Sequence, residues 1–371
     1  MGLAPVSPST GAYCKARKRL PTTLLSRLAQ RVGWTLSNRA DGDDLWLGRR
    51  VKVVDGSSAS MPDTQANQQA YPQPANQKPG CGFPVLSFVA VFCLGSGAML
   101  ALAFGQWSAN DFSLFYFVRN AFVFGDIMLG DRAFCSYAEL ALLRRKGADV
   151  VVRLHQARRT DFRRGRIMGR LDHCITWNKP RQRPQGLRLD DYRLLPRELL
   201  VRELRYTVHV KGFRTNSVTL ATTLLDSEKY SAEALAELYF ARWDVELNFQ
   251  HIKTTMKMDI LGGRTPEMVR KEIWAHMLAY NLVRSVMWDA ASIDATPVRR
   301  LSFKGTIQYV LSLREVSGPP GQELQWLLQF TATQKVPYRP WRIEPRKRKR
   351  RPKKFSLLMK PRSQVKAELG A

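Results

Sequence analysis

The stretch Tyr239-Phe240-Ala241-Arg242-Trp243-Asp244-Val245-Glu246-Leu247-Asn248-Phe249-Gln250-His251-Ile252-Lys253 decides how this chain is read. Leu238, Ala241, Val245, Phe249, Ile252 and Met256 recur every three or four positions, the pattern of a helix with one buried stripe. Ser231 suits the N-cap and Gly262-Gly263 stops the pattern, so one helix from Ser231 to about Met258 is expected. On such a helix, at about 100° per residue, Tyr239, Glu246 and Lys253 fall roughly 20° apart in turn, with Arg242 about 40° from Glu246. One face then presents a carboxylate flanked by a phenol, a guanidinium and an ammonium. A carboxylate binds hard metal ions through oxygen. The other three groups can hold phosphates on either side. By spacing alone, the same face is also an ordinary solvated one with an Arg242–Glu246 pair.

Two strand ends supply what a single carboxylate lacks. Val51 to Val54 is a β-branched run that stops at Asp55-Gly56, which reads as a buried strand ending in a turn. Ile127 to Leu129 is a second apolar run, stopping at Gly130-Asp131-Arg132. Each turn exposes an aspartate at a sheet edge. Two aspartates and a glutamate converging on one point repel strongly unless cations sit between them. Two magnesium ions about 3.5–4 Å apart relieve that repulsion, activate an attacking water or 3′-hydroxyl and stabilise the leaving oxygen. Turn formation is the plain alternative role of either aspartate. Asp63, Asp111 and Asp126 compete for the two positions.

The chain has 371 residues, with 59 basic against 31 acidic side chains and a net charge of +28. A soluble protein this basic is expected to meet a polyanion, nucleic acid first. Five scattered cysteines form no CxxC pair, which argues against a disulfide framework and a zinc site and for a reducing cytosol. No apolar segment follows the basic Lys15 to Arg19, so a signal peptide is not expected. Phe83 to Gly105 is long enough to span a bilayer. Gly95, Ser96 and Gly97 interrupt it, so it reads as two buried strands around a turn, with no membrane partner. Residues 56–82 read as a long loop, 108–122 and Tyr137 to Lys146 as helices, and Val150 to Leu154 as a strand. Residues 151–210 hold fifteen basic side chains, fourteen of them arginine, against six acidic ones. Leu200 to Val210 and Ser217 to Leu225 are β-like. Thr265-Pro266 opens a second helix to about Ala291. The run Arg346 to Arg351 in the basic tail is too like-charged to fold by itself.

Tyr239-x2-Arg242-x3-Glu246-x6-Lys253 is similar in residue type and spacing to the Y-R-E-K signature of DDE transposases of the insertion-sequence-four type. Val54-Asp55-Gly56-Ser57, Met61-Pro62-Asp63-Thr64, Gly80-Cys81-Gly82-Phe83-Pro84 and Gly130-Asp131-Arg132 resemble further blocks of that family. So do Ala279-Tyr280-Asn281-Leu282-Val283-Arg284 and the tail from Glu344-Pro345 to Lys353, and the resemblance covers about residues 10 to 362.

The resemblance implies an α/β fold: an RNase H-like mixed sheet flanked by helices, with a mostly β insertion before the last catalytic helix and a basic C-terminal tail. It implies Asp55, Asp131 and Glu246 as catalytic metal ligands for two Mg2+ ions, with Mn2+ able to substitute. Tyr239, Arg242 and Lys253 would grip transposon-end phosphates, and Trp177 is a candidate aromatic for holding a flipped base. The expected division is 1–47 as the remnant of an N-terminal DNA-binding or linker region and 48–154 as the first part of the core. The Arg-rich β insertion follows at 155–225, the last part of the core at 226–300 and a basic C-terminal region at 301–371. The implied activity is metal-dependent DNA cleavage, by way of a hairpin at the ends, and strand transfer in cut-and-paste transposition. A homodimer on double-stranded DNA is implied, in the bacterial cytoplasm and on the nucleoid. Family members usually carry more chain before Tyr13-Cys14-Lys15-Ala16-Arg17 than the twelve residues here. A truncated, catalytically impaired copy that only binds transposon ends is therefore the alternative, and a metal-dependent nuclease a further one.

Overall fold

Three apolar strands run up and down at one edge of the sheet. In the computed structural model, which describes residues 10–208, 217–312, 322–337 and 358–370, these are β1 (Val51–Ser60), β2 (Val85–Cys93) and β3 (Met99–Gln106). They pair antiparallel. β4 (Ile127–Gly130) and β5 (Asp149–Arg153) then continue the sheet parallel to β1. The strand order β3-β2-β1-β4-β5 is the RNase H-like arrangement that the family resemblance implies.

The β-rich segment that follows extends this same sheet. β6 (Arg166–Gly169), β7 (Asp172–Asn178), β8 (Glu198–Thr207) and β9 (Ser217–Thr222) join through β9 against β5, giving nine strands in the order β3-β2-β1-β4-β5-β9-β8-β7-β6. A buried guanidinium locks the added strands: Arg202 on β8 donates to the Asp172 carboxylate at 2.8 and 2.5 Å and to the Tyr230 carbonyl at 2.6 Å.

Twelve helices are described: α1 (Gly11–Arg19), α2 (Thr22–Asn38), α3 (Gln65–Ala70), α4 (Asp111–Val118), α5 (Tyr137–Arg145), α6 (Leu189–Leu194), α7 (Ala232–Ala241), α8 (Asp244–Gln250), α9 (Pro266–Ile293), α10 (Phe303–Ser312), α11 (Gln322–Thr333) and α12 (Arg362–Glu368). Ser231 and Thr265 cap α7 and α9 as expected, accepting from Ala234 N–H at 3.1 Å and Met268 N–H at 3.4 Å. Buried Asn281 on α9 pins two elements at once. Its amide donates to the Ala29 and Met99 carbonyls at 3.0 and 2.8 Å, and its oxygen accepts from Met99 N–H at 2.9 Å.

Four local expectations are corrected. β1 does not stop at Asp55 but runs to Ser60, because β2 pairs with it along its whole length, Ser60 facing Val85. The 56–82 segment therefore begins as strand and also contains α3, capped by the Thr64 hydroxyl. The single helix expected from Ser231 to Met258 is broken into α7, a tight turn at Arg242–Trp243, α8 and a π-helical turn at His251–Thr255. Trp177 is not available to a flipped base: it is 4% exposed, donates to Glu203 at 2.8 Å and is covered by Arg158 at 3.7 Å. Phe83 to Gly105 does form two strands, and no helix among the described residues is long and apolar enough to cross a membrane. The Arg346–Arg351 run lies outside the described residues.

Candidate active site

Strand register sets two aspartates side by side. Val54 on β1 and Gly130 on β4 are the last matched pair of the parallel ladder. The next residue on each chain is Asp55 and Asp131, on neighbouring strands whose spacing is about 4.8 Å. Asp55 Oδ1 accepts from Gly56 N–H at 2.8 Å, and Asp131 Oδ1 accepts from Ala133 N–H at 2.8 Å at the start of a short turn. These backbone bonds orient both carboxylates where the sheet opens.

A third carboxylate lies near enough to be felt by the pair but does not close on it. Asp111 opens α4 after the Asn110 cap, and a side chain at Gly56 would meet its carboxylate at 2.6 Å. Only glycine at position 56 lets that carboxylate lie against β1. Burial is the main reason the Asp55 carboxyl is pushed up to about 6; Asp131 and Asp111 push it the same way, against Gly56 N–H and Arg242. Asp111 is raised by burial and by Asp131. The other competitors are structural. Asp126 is ion-paired with buried Lys52 at 2.5 Å, and Asp63 with Arg362 at 2.8 Å.

The broken helix approaches from above. Backbone N–H groups of Arg242, Trp243, Val245 and Glu246 each bond the carbonyl three residues back rather than four. This tightening turns Arg242 inward, 7% exposed, with its guanidinium 3.6 Å from the Asp55 carboxylate. Its Nε is buried without a hydrogen-bond partner. Tyr239 is also buried, its phenol pushed up to about 12 chiefly by burial. Lys253, in the π-helical turn, donates to the Ser57 hydroxyl on β1 at 3.1 Å. The chain then clips to the end of β1 through Ser60 N–H to the Asp259 carbonyl at 3.0 Å.

Glu246 is placed differently. It lies between the Arg242 and Lys253 anchors and hence over β1, but its side chain is exposed. Its carboxylate has no hydrogen-bond or ion-pair partner among the described residues. The structure thus brings Asp55, Asp131, Tyr239 and Arg242 together, sets Lys253 one step along β1 and leaves Glu246 facing solvent. No three His, Cys, Asp or Glu side chains among the described residues stand close enough to chelate an ion as they lie. The crowded Asp55–Asp131 pair, with Arg242 against Asp55, has the donor chemistry that fits a hard cation.

An open cleft of about 660 Å³ runs beside this pair, lined by Asp131, Tyr239 and Arg242 and also by Arg132, Arg153 and Tyr206. Sequence reasoning missed the last three. Arg132 follows Asp131 directly in the chain and Arg153 ends β5, the strand next to β4, whereas Tyr206 reaches the cleft only because β9 pairs with β5 and brings β8 alongside, which no local pattern in the sequence records.

Comparison with known proteins decides the family. Residues 46–282 match the family model described as Transposase DDE domain. This chain belongs to the DDE transposases. Within that family it is of the IS4 type: it is 27% identical over 358 residues to transposase InsG of insertion sequence element IS4 from Escherichia coli K12, covering 94% of this chain and 78% of the relative. A transposase of insertion sequence element IS421 from Escherichia coli is 28% identical over 199 residues, 46% of this chain and 53% of the relative. A solved piggyBac transposase synaptic complex with hairpin DNA aligns with 75% of this chain and 56% of its own, at TM-score 0.41 and 8% identity. DDE transposases work with divalent metal ions.

Proposed function

We propose that this DDE transposase cleaves DNA at transposon ends and joins the freed 3′-hydroxyls to target DNA, in cut-and-paste transposition. One observation carries the reading: Asp131, which lines a cleft with Tyr239 and Arg242, lies side by side with Asp55 on the neighbouring strand. Asp55, Asp131 and Glu246 would hold two Mg2+ ions, or Mn2+ in their place. When bound, such ions activate the attacking hydroxyl and stabilise the leaving oxygen in an in-line displacement.

The protein's own part is positioning. Gly56 and Ala133 N–H groups hold the two aspartates in place. Arg242 now balances Asp55; a DNA phosphate entering the cleft gives the guanidinium a second anion with the fork geometry it suits. The Tyr239 phenol stays protonated at neutral pH and can donate to a phosphate oxygen. Lys253 holds a phosphate further along β1. Glu246 would complete the ligand set by turning in from the solvent face, on a helix whose flanking Arg242 and Lys253 are held against β1. On this reading 48–154 and 226–300 build the catalytic core, 155–225 is an arginine-rich insertion, and 1–47 and 301–371 serve DNA. Two ends must be paired, so the working form is a homodimer on double-stranded DNA, in the bacterial cytoplasm and on the nucleoid.

Glu246→Ala tests the assignment. Cleavage of labelled transposon-end DNA is expected to disappear, while binding to that DNA in a gel-shift assay stays within about twofold, the change expected when no phosphate contact is lost. Cleavage at the wild-type rate would remove Glu246 from the catalytic set.

A further inference from the structure

The two aspartates lie between two hollows. In the strand order, the cleft of Tyr239 and Arg242 is on the β5-β9-β8 side. On the other side, towards β2 and β3, a second hollow of about 390 Å³ is lined by Trp107, Lys253, Ser60, Asn76, Gln77 and Asp259, among others. Neither the mechanism above nor the Y-R-E-K signature uses Trp107.

Each wall of this hollow suits part of a nucleotide. Lys253 donates to Ser57, which is two residues beyond Asp55 and so on the same face of β1. Ser57 lies about 6.6 Å along β1 from Asp55, roughly two stacked-nucleotide steps of 3.4 Å, and holds the ammonium there. Trp107, in the turn that follows β3, is 47% exposed, and Ser87 Oγ donates to its carbonyl at 3.4 Å. An exposed indole beside a lysine offers a base a stacking face and its phosphate a cation. Asn76 and Gln77 supply amide donors and acceptors. Asp259 repels phosphate, which favours placing the phosphate at Lys253 and a base amino group towards Asp259.

We propose that this hollow takes one unstacked nucleotide of the DNA strand that continues past the acids on the β3 side, its base on Trp107 and its phosphate at Lys253. This rests on the proposed transposase reading. The strand is either the donor DNA flanking the transposon end or the target DNA, which share this chemistry.

The test measures affinity of the full chain by fluorescence anisotropy on three DNAs: an end duplex cut flush at its terminus, the same duplex extended into flanking DNA, and the flush end with a target duplex. Trp107→Ala is expected to weaken binding about tenfold on one of the last two, as loss of one base–aromatic stack does, and to leave the flush end unchanged. Trp107→Phe is expected to restore it. Loss on the extended duplex assigns the hollow to flanking DNA, and loss with the target duplex assigns it to target. No loss on either, or equal loss on all three, overturns the proposal. If Trp107→Ala melts below the wild type, Gln77→Ala replaces it and must show the same selective pattern at a smaller fold-change. A wild type that binds end DNA no better than unrelated duplex would sink the transposase reading itself. A wild type that discriminates, with variants that behave like it, sinks only this inference.

Discussion

Asp55 is charged at some expense to the metal-free fold. Its carboxyl is pushed up to about 6 by burial first, with Asp131 and Asp111 adding to it. The folded chain therefore keeps this proton at pH values where the unfolded chain has lost it. The stability linked to it is fully present below the unfolded value of 3.8 and is lost as pH rises through about 6. Asp55→Asn removes the charge, so the metal-free variant is expected to be more stable than the wild type at pH 7, on the order of 2 kcal/mol. The gain should vanish near pH 4, and thermal melts at the two pH values check it. A variant destabilised more at pH 7 than near pH 4 would show that the Arg242 contact with the charged form outweighs burial. Asp111→Asn is expected to make the wild-type pH dependence shallower, since one of the like charges facing Asp55 is gone. At this scale the sequence was informative about residue types but not about placement. Asp111 could not be told from Asp63 or Asp126, because what separates them is a through-space contact with Gly56 in one case and salt bridges with Arg362 and Lys52 in the others.

The elements were legible where local pattern rules and illegible where distant pairing does. The caps at Ser231 and Thr265 followed from side chains three residues from their partners. The extension of β1 past Asp55 did not, because it depends on β2, about thirty residues later. The break at Arg242–Trp243 was hidden by an unbroken apolar stripe, since the stripe does not record that burying Arg242 against Asp55 requires a tighter turn. Glu246 was thus found by spacing while its outward direction was not. Packing between elements is equally silent in sequence. Gly33 on α2 faces β3 so closely that a side chain there would meet the Met99 carbonyl oxygen at 2.2 Å and the Asn281 amide at 2.7 Å. Gly33→Ala is expected to push α2 off β3 and α9 and to cost about 1–3 kcal/mol or more in denaturant unfolding, as overpacking does. Gly262→Ala is the control, because its new methyl would meet only the Glu272 carboxylate at an ordinary 3.7 Å. Similar losses in both variants would mean that the close approach of α2 is not what limits stability.

For the molecule as a whole, charge and topology act together. The net charge of +28 is spread over the chain, and the insertion keeps Arg158, Arg159, Arg163, Arg164, Arg166 and Arg170 exposed. Because β6 to β9 continue the sheet that carries Asp55 and Asp131, that arginine surface shares a frame with the two aspartates. On the proposed function, DNA gripped by the insertion would thereby be registered on Asp55 and Asp131. Such binding must be strongly salt-dependent, since each neutralised phosphate releases counterions. For a footprint of six to ten phosphates, affinity for end DNA is expected to fall by roughly 10³ to 10⁵ between 50 and 200 mM salt. The slope of log affinity against log salt then separates the roles proposed for the broken helix. Glu246→Ala removes no phosphate contact and should leave the slope unchanged. Lys253→Ala should flatten it by about one. If Glu246→Ala changed the slope and Lys253→Ala did not, the two residues would have exchanged roles, and the path of DNA along β1 would have to be redrawn.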